Sequence, residues 1–353
     1  MQKLDPKVIK IHAKIITPIH IDNWEVLDRM DYFFLSEEWN ELQLVDKKWL
    51  VDCAKKDKDL FTKIIQSIEY WKFNELEELK ESYYNADIWD FVLDEITVWE
   101  KAKENLLQIW NKNNNWEIKR FSRFWLDKEL FIPWSTLKGI FRTIFLFGEI
   151  NNKINYKIEA TRIESLEKDD RFKKDLFAFL QFEDVNIDKL SEYIEIQEIN
   201  SKNKPPREWQ PPKIWIPQVL EVINNWNFEI NITDLKWQID LNELNKKIEK
   251  YSNILVAREE QILDNIWFRN DFIDKLDEYY NDWYYPIKIW MFKKSLSYKL
   301  FWEEMIQELN MNFKWKDWLK EAQKKWIWDK MIYLDESQNP VWWIAIKILD
   351  DNN

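Results

Sequence analysis

Apolar and polar residues alternate at the start of the chain: Ile9, Ile11, Ala13 and Ile15 are separated by Lys10, His12 and Lys14. A period of two predicts a strand with one buried face, here over residues 7–21. A turn is expected at 22–25. The runs "YFFL" and "LQLV" then flank "EEWNE" (37–41), which predicts a hairpin from Tyr32 to Val45. From about residue 48 to 112 the period lengthens and charges multiply, and an all-helical insertion is expected in a β-rich frame. "NKNNNWEIKRF" (111–121) reads as a loop, and "KELFIPWSTLKGIFRTIFLF" as strand, turn and helix.

The second half repeats this logic without a fixed repeat. "LFAFLQFEDVNI" (176–187) predicts a strand, and "NSKNKPPREWQPPKI" (200–214) a linker or exposed loop. "IPQVLEVINNWNFEINITDL" predicts two strands around a turn. Residues 242–280 read as helical, "YYPIKI" as a strand, "KKSLSYKLFWEEMIQEL" as a helix and "PVWWIAIKIL" as a last strand. Long helices with scattered strands imply an α+β protein, its helices packed on antiparallel sheets.

Composition changes the picture at one point. The chain has 24 Trp and 2 Gly in 353 residues, whereas glycine ordinarily makes up about 7% of a protein. Turns needing positive φ call for glycine, yet the turn positions here carry Trp, as in "DNWEV" (22–26), "EEWNE" and "INNWN". We read most of these tryptophans as glycines in the cell, encoded by UGA in a lineage that assigns UGA to glycine. Trp343 is the best candidate for an authentic tryptophan.

Other composition is ordinary. One cysteine, Cys53, excludes an internal disulfide framework and fits a reducing compartment. "MQKLDPKVIKIH" has no apolar signal core and no run reaches about 18 apolar residues, so a cytoplasmic protein without membrane partners is expected. Two His and one Cys offer no zinc spacing, and no P-loop occurs because Gly139 precedes Ile140; no metal and no cofactor are expected. A net charge of −12 argues against indiscriminate nucleic-acid binding but leaves room for a local basic groove.

Such a groove is visible between Ile118 and Arg142. Lys119, Arg120, Arg123, Lys128, Lys138 and Arg142 stand there against Asp127 and Glu129, a net of +4. In "FIPWSTLKGIFRT" (131–143) a turn at Trp134, Ser135 and Thr136 opens a helix whose first N–H groups form an anion site. Ser135 and Thr136 are expected to cap that helix and donate to phosphate oxygens. Lys138 and Arg142, at i and i+4, face one side. Backbone phosphates fit this set better than base edges do. A literal indole at 134 obstructs close approach of a phosphate.

With Trp134 taken as glycine, the stretch resembles the strand–loop–helix signature of the RAMP superfamily of CRISPR-associated RNA-binding proteins. "ITPIHIDNWEVLDRMDY" (16–32) resembles the amino-terminal block, and "IWIPQVLEV" (214–222), "IKIWMFKKSLSYKLF" (287–301) and "VWWIAIKI" (341–348) resemble the later blocks, of one branch: the fifth-numbered subunit of the type III-A Csm effector complex. The resemblance implies ferredoxin-like, RRM-like RAMP domains, placed here at 1–200, with the helical insertion at about 48–112, and at 201–353. It implies a non-enzymatic subunit that holds crRNA and caps the backbone filament near the crRNA 3′ end. Such a subunit contacts the repeated backbone RAMP subunit and assists crRNA maturation, with host nucleases as possible trimming partners. The RNA-contacting set carried over is Trp134, Ser135, Thr136, Lys138, Gly139, Arg142, His20, Lys293 and Lys294. Asp22, where a small residue is usual, and Gln218, where a basic one is, depart from the pattern.

Alternatives stay open at two places. Lys293 and Lys294 open a helix and fit a second basic contact or a plain surface pair equally well. His20, ending a strand beside a turn, is more in keeping with a packed, hydrogen-bonding residue than with a general acid–base, which needs positioned partners. An endoribonuclease that cuts repeat RNA through His20 or His12 is the competing function. His12, on the Lys10/Lys14 face, is expected to be exposed.

Overall fold

A computed structural model describes residues 6–28, 31–34, 40–55, 59, 62, 92–107, 117–124, 129–150, 179–187, 194–203, 218–236, 239–265, 271–289 and 331–349. In chain order the first half gives β1 (Lys7–Ile15), β2 (Asp22–Leu27), β3 (Tyr32–Phe34), β4 (Glu41–Val45), α1 (Lys47–Ala54), β5 (Val92–Val98), α2 (Glu100–Leu107), β6 (Ile118–Phe121), β7 (Leu130–Ile132) and α3 (Trp134–Ile150). The second gives β8 (Leu180–Phe182), β9 (Val185–Ile187), β10 (Ile194–Asn203), β11 (Gln218–Ile223), β12 (Asn227–Asp234), α4 (Leu241–Asn265), α5 (Phe272–Asn281), β13 (Tyr285–Lys288), β14 (Met331–Leu334) and β15 (Trp343–Leu349).

The strands form two large sheets and a small one. A five-stranded antiparallel sheet has the order β13-β15-β1-β12-β8. An eight-stranded sheet runs β2-β6-β11-β10-β5-β4-β3, with β14 paired to the far end of β10; β7 and β9 form the third. The eight-stranded sheet is mostly antiparallel, but β10 with β5 and β11 with β6 run parallel. The architecture is the expected α+β class.

The alternation in β1 does what its period predicts. Ile9, Ile11, Ala13 and Ile15 are buried, and α3, α4 and α5 contact the same sheet through β8 and β13. Because the period is two, a one-residue slip of β1 would put Lys10 and Lys14 into this core. The Tyr32–Val45 hairpin is present as β3 and β4. The described parts of 242–280 are the helices α4 and α5.

Five expectations change. Residues 92–98 of the supposed all-helical insertion form β5, between β4 and β10, where β-branched Val92, Ile96, Thr97 and Val98 favour a strand. The strand expected over 176–187 is split at Glu183 and Asp184, with β8 joining the five-stranded sheet and β9 pairing β7. Residues 22–25 lie in β2 rather than in a turn. The register shift between Asp22 and Val26 makes an irregularity that brackets Trp24, a place where glycine is common. The loop expected over 111–121 ends in β6, which pairs β2 and β11, and the linker expected over 200–214 begins inside β10, which runs to Asn203. Most of the remaining insertion, the rest of that linker and the helix expected from Lys293 lie outside the described residues.

Three of the passages of the chain between the two large sheets run side by side. They are residues 16–21 between β1 and β2, 224–226 between β11 and β12, and 335–342 between β14 and β15. Ile15 donates its N–H to the Trp226 carbonyl at 2.9 Å, and Ile19 and Ile223 exchange both backbone bonds at 3.0 Å. Trp342 donates to the Pro18 carbonyl at 3.0 Å, and Trp343 to the Thr17 hydroxyl at 3.0 Å. A boundary at 200/201 falls inside β10, and each large sheet draws strands from both sides of it.

Tryptophan occupies positions of this backbone that suit glycine. Four described non-glycine residues have positive φ, and two are Trp: Trp283 at 62° and Trp342 at 71°. The left-handed region costs an L-residue roughly 1–2 kcal/mol, and a bulky one is an outlier there. Trp343, by contrast, has no positive φ and is fully buried in β15, its ring edge-on to Phe272 at 6.0 Å.

Candidate nucleic-acid interface

β7 and the residues after β6 set the start of α3. Phe131 donates its N–H to the Ser122 carbonyl at 3.1 Å, and the rings of Phe124 and Phe131 stack at 3.9 Å. Pro133 ends the strand, and its carbonyl accepts the Thr136 N–H at 2.8 Å, starting the helix. Leu137, Phe141, Ile144 and Phe145, at i, i+4, i+7 and i+8, are buried, with Phe141 against Phe182 at 5.6 Å. That seating turns Lys138, Gly139 and Arg142 outward. A Cβ built on Gly139 would meet no atom within 4 Å, so the backbone there lies open to an approaching chain. Arg142 makes no ion pair among the described residues.

The first turn of α3 differs from the expected exposed loop. Trp134 is already helical and has no positive φ. Its N–H donates to Asp184 Oδ1 at 2.6 Å, so a carboxylate from the β8–β9 turn holds the place proposed for a phosphate. A negative group at a helix N-terminus is stabilising for the reason a phosphate would be. Thr136 Oγ1 is buried without a hydrogen-bond partner, so it does not cap the helix. Ser135 stays half-buried at the edge of the exposed face, and the Trp134 indole is exposed with the Lys138 ammonium 5.7 Å from its ring.

Part of the basic stretch is neutralised internally. Glu221, fully buried in β11, accepts the Phe121 N–H at 2.9 Å and pairs with Arg123 at 3.1 Å and Arg120 at 3.4 Å. Lys119 donates to Gln218 Oε1 at 3.2 Å. Lys128 lies outside the described residues, as do Lys293 and Lys294. Among the described residues of this region, Lys119, Lys138 and Arg142 are the cations without a carboxylate partner, and Lys138 and Arg142 share one face of α3.

His20 is not on a surface. Its side chain is fully buried, edge-on to Phe121 at 6.2 Å, with Nδ1 2.7 Å from the Glu221 carbonyl. A carbonyl only accepts, so Nδ1 carries the proton, and Nε2 has no hydrogen-bond partner. Burial lowers its pKa below the ordinary histidine value. His20 thus ties the 16–21 crossing to β11 and offers no ring face to a polymer. His12, expected to be merely exposed, is half-buried and bonded to the Tyr284 hydroxyl at 2.9 Å.

Comparison with solved structures settles the fold. A crystal structure of T. onnurineus Csm5 superposes with a TM-score of 0.60 at 13% identity, covering 95% of this chain and 99% of that one. The chain has the Csm5 fold. A chain of a cryo-EM structure of a Csm–crRNA–target RNA ternary complex, from a type III-A CRISPR-Cas system, matches with a TM-score of 0.53 at 13% identity. It covers 96% of this chain and 100% of its own length. No protein-family model matches the sequence, and no curated protein does. The Csm5 fold is thus recognisable through backbone arrangement at 13% identity. Among the described residues no helix is long and apolar enough to cross a membrane.

Proposed function

We propose that this chain is a crRNA-binding structural subunit of a type III-A CRISPR interference complex, serving antiviral defence in the cytoplasm. It caps the backbone filament near the crRNA 3′ end, contacts the repeated backbone RAMP subunit and assists crRNA maturation, with host nucleases doing the trimming. It does no chemistry itself. The observation that carries this reading is the Csm5 fold over 95% of the chain, with the outward cationic face of α3 as its RNA contact.

The contact works through charge and access. Lys138 and Arg142 take phosphate oxygens, Ser135 donates a hydroxyl at the edge of the same face, and Gly139 lets the RNA backbone approach the helix. Thr136 and His20 hold the first turn and the neighbouring crossing from inside, and Lys293 and Lys294 add a second basic contact. A glycine at 134 widens the approach to Lys138. The buried, neutral His20 favours this reading over the nuclease one, because a general acid–base must reach its substrate.

Assembly of the complex with and without this chain tests the proposal. The complex lacking it should carry crRNA with longer, heterogeneous 3′ ends, restored to one length on adding the chain. Equal crRNA lengths in both preparations would overturn it.

A further inference from the structure

Helices pack on the five-stranded sheet, and on the opposite side of β1 the stretch around Lys10, His12, Glu229 and Lys347 is exposed or half-buried, an open face that ends at the buried Ala345 and Trp343 of β15. Lys10, His12 and Lys14 of β1 point to the open face, since the alternate residues are buried. Pairing partners share a face, and His12 lies opposite Lys347 of β15 and Glu229 of β12. Tyr284, just before β13, completes the row. Its hydroxyl meets His12 Nδ1 at 2.9 Å, with the Lys14 ammonium 4.1 Å and the Lys347 ammonium 5.4 Å from the ring centre.

This clustering is unusual for an acidic chain. None of Lys10, Lys14 and Lys347 has a carboxylate partner among the described residues; Lys347 donates only to the Asp282 carbonyl, at 3.1 Å. Two ammonium groups share one tyrosine ring in place of counter-ions, each attracted by the ring's electron-rich face. Burial and the neighbouring Lys14 lower the His12 pKa, against the pull of Glu229. Lys10 and Lys14, four residues apart, stand about 13 Å apart along β1, and Lys347 on β15 lies opposite His12 between them, so the three ammonium groups step along the sheet at about 7 Å, which suits a linear polyanion. An extended RNA strand supplies a phosphate for each lysine and a base for the ring, whereas an acidic peptide supplies only the charges.

We infer that the open face of the five-stranded sheet, through Lys10, Lys14, Lys347 and Tyr284, is a second RNA-backbone contact, separate from α3. Its occupant is a single RNA strand held by phosphates. Glu229 is the one carboxylate in the row with His12 and weakens the contact. The inference rests on the reading that this chain binds RNA.

The test uses the full-length chain and a fluorescein-labelled, single-stranded RNA of mixed sequence, titrated at several salt concentrations. Replacing Lys10, Lys14 and Lys347 together by Ala should flatten the log K against log salt slope by about 2, at roughly 0.7 per phosphate lost from a single strand. Glu229→Gln should tighten binding a few-fold, a gain that a damaged fold cannot produce. An unchanged slope together with unchanged binding by Glu229→Gln overturns the second contact. If Lys138→Ala/Arg142→Ala weakens binding in that case, the α3 contact stands and only this inference falls. If neither set matters, RNA binding by this chain falls with it. Loss of binding to poly-aspartate, with the RNA slope unchanged, would make the face a protein-docking surface and likewise overturn the inference.

Discussion

Asp184 accepts the backbone N–H of Trp134 at 2.6 Å across fifty residues of sequence, and so caps α3 from another element. Pro133, the residue before the helix, has no side-chain oxygen to do so. The helix therefore depends on the β8–β9 turn for its first amide. Asp184→Ala should cost about 1 kcal/mol of stability, the usual value of a lost cap. Urea denaturation measures it, and a loss below about 0.3 kcal/mol would contradict the capping role.

Lys138 and Arg142 face solvent and touch no core residue's charge. Replacing both by Ala should change stability by less than about 0.5 kcal/mol while lowering the RNA salt slope by about 1.4, for two single-strand contacts. A fluorescence titration against salt checks this.

Glu221 gives the opposite case. It is fully buried and pairs with Arg120 and Arg123 while accepting the Phe121 N–H. Glu221→Ala leaves the two guanidinium groups near an apolar strand, and the expected loss is about 3–5 kcal/mol. Lys47–Asp28, an exposed pair at 3.3 Å, is the control; Asp28→Asn should cost no more than about 1 kcal/mol.

Acid should weaken the fold through His20. Burial depresses its pKa in the folded chain, so the unfolded chain binds the proton more tightly. Stability is then full above the unfolded value of about 6.5 and falls as pH drops toward the folded one. The stability difference between the wild type and His20→Asn should therefore shrink from pH 7.5 to 5.5. The raised pKa values of Glu198 and Asp335 act with the opposite sign at more acid pH, and they are common to both proteins. A pH-independent difference would contradict the neutral, buried histidine.

Trp283 tests the glycine reading. It is 69% exposed with φ 62°, so losing the indole sacrifices little burial. Relief of roughly 1–2 kcal/mol of backbone strain exceeds glycine's entropic cost of roughly 0.5–1 kcal/mol. Trp283→Gly should thus raise stability by about 0.5–1 kcal/mol. The codons agree if positions 283 and 342 are UGA; UGG at both would mean that the tryptophans are real.

Local features were legible in the sequence, and distant partnerships were not. The β1 alternation and the buried positions Leu137, Phe141, Ile144 and Phe145 follow directly from period, so the first strand and the outward face of α3 could be read. Glu221 sits about a hundred residues from the arginines it neutralises, and Asp184 fifty from the helix it caps. No local pattern encodes those meetings, which is why the net +4 overstated the available charge and Thr136 looked like a cap. β5 was hidden because its acidic residues match the helical runs around it. Tyr284 joins Lys14 and Lys347 only through sheet register, so the sequence showed Lys10 and Lys14 on one face of the first strand but not their meeting with Lys347.

The most direct measurement is crosslinking of crRNA within the assembled complex, with the crosslinked peptides of this chain mapped by mass spectrometry. Crosslinks near the crRNA 3′ end on the peptide spanning 131–143 are expected. Incorporation of the chain with no crosslink to crRNA, or crosslinks confined to the crRNA 5′ end, would contradict it.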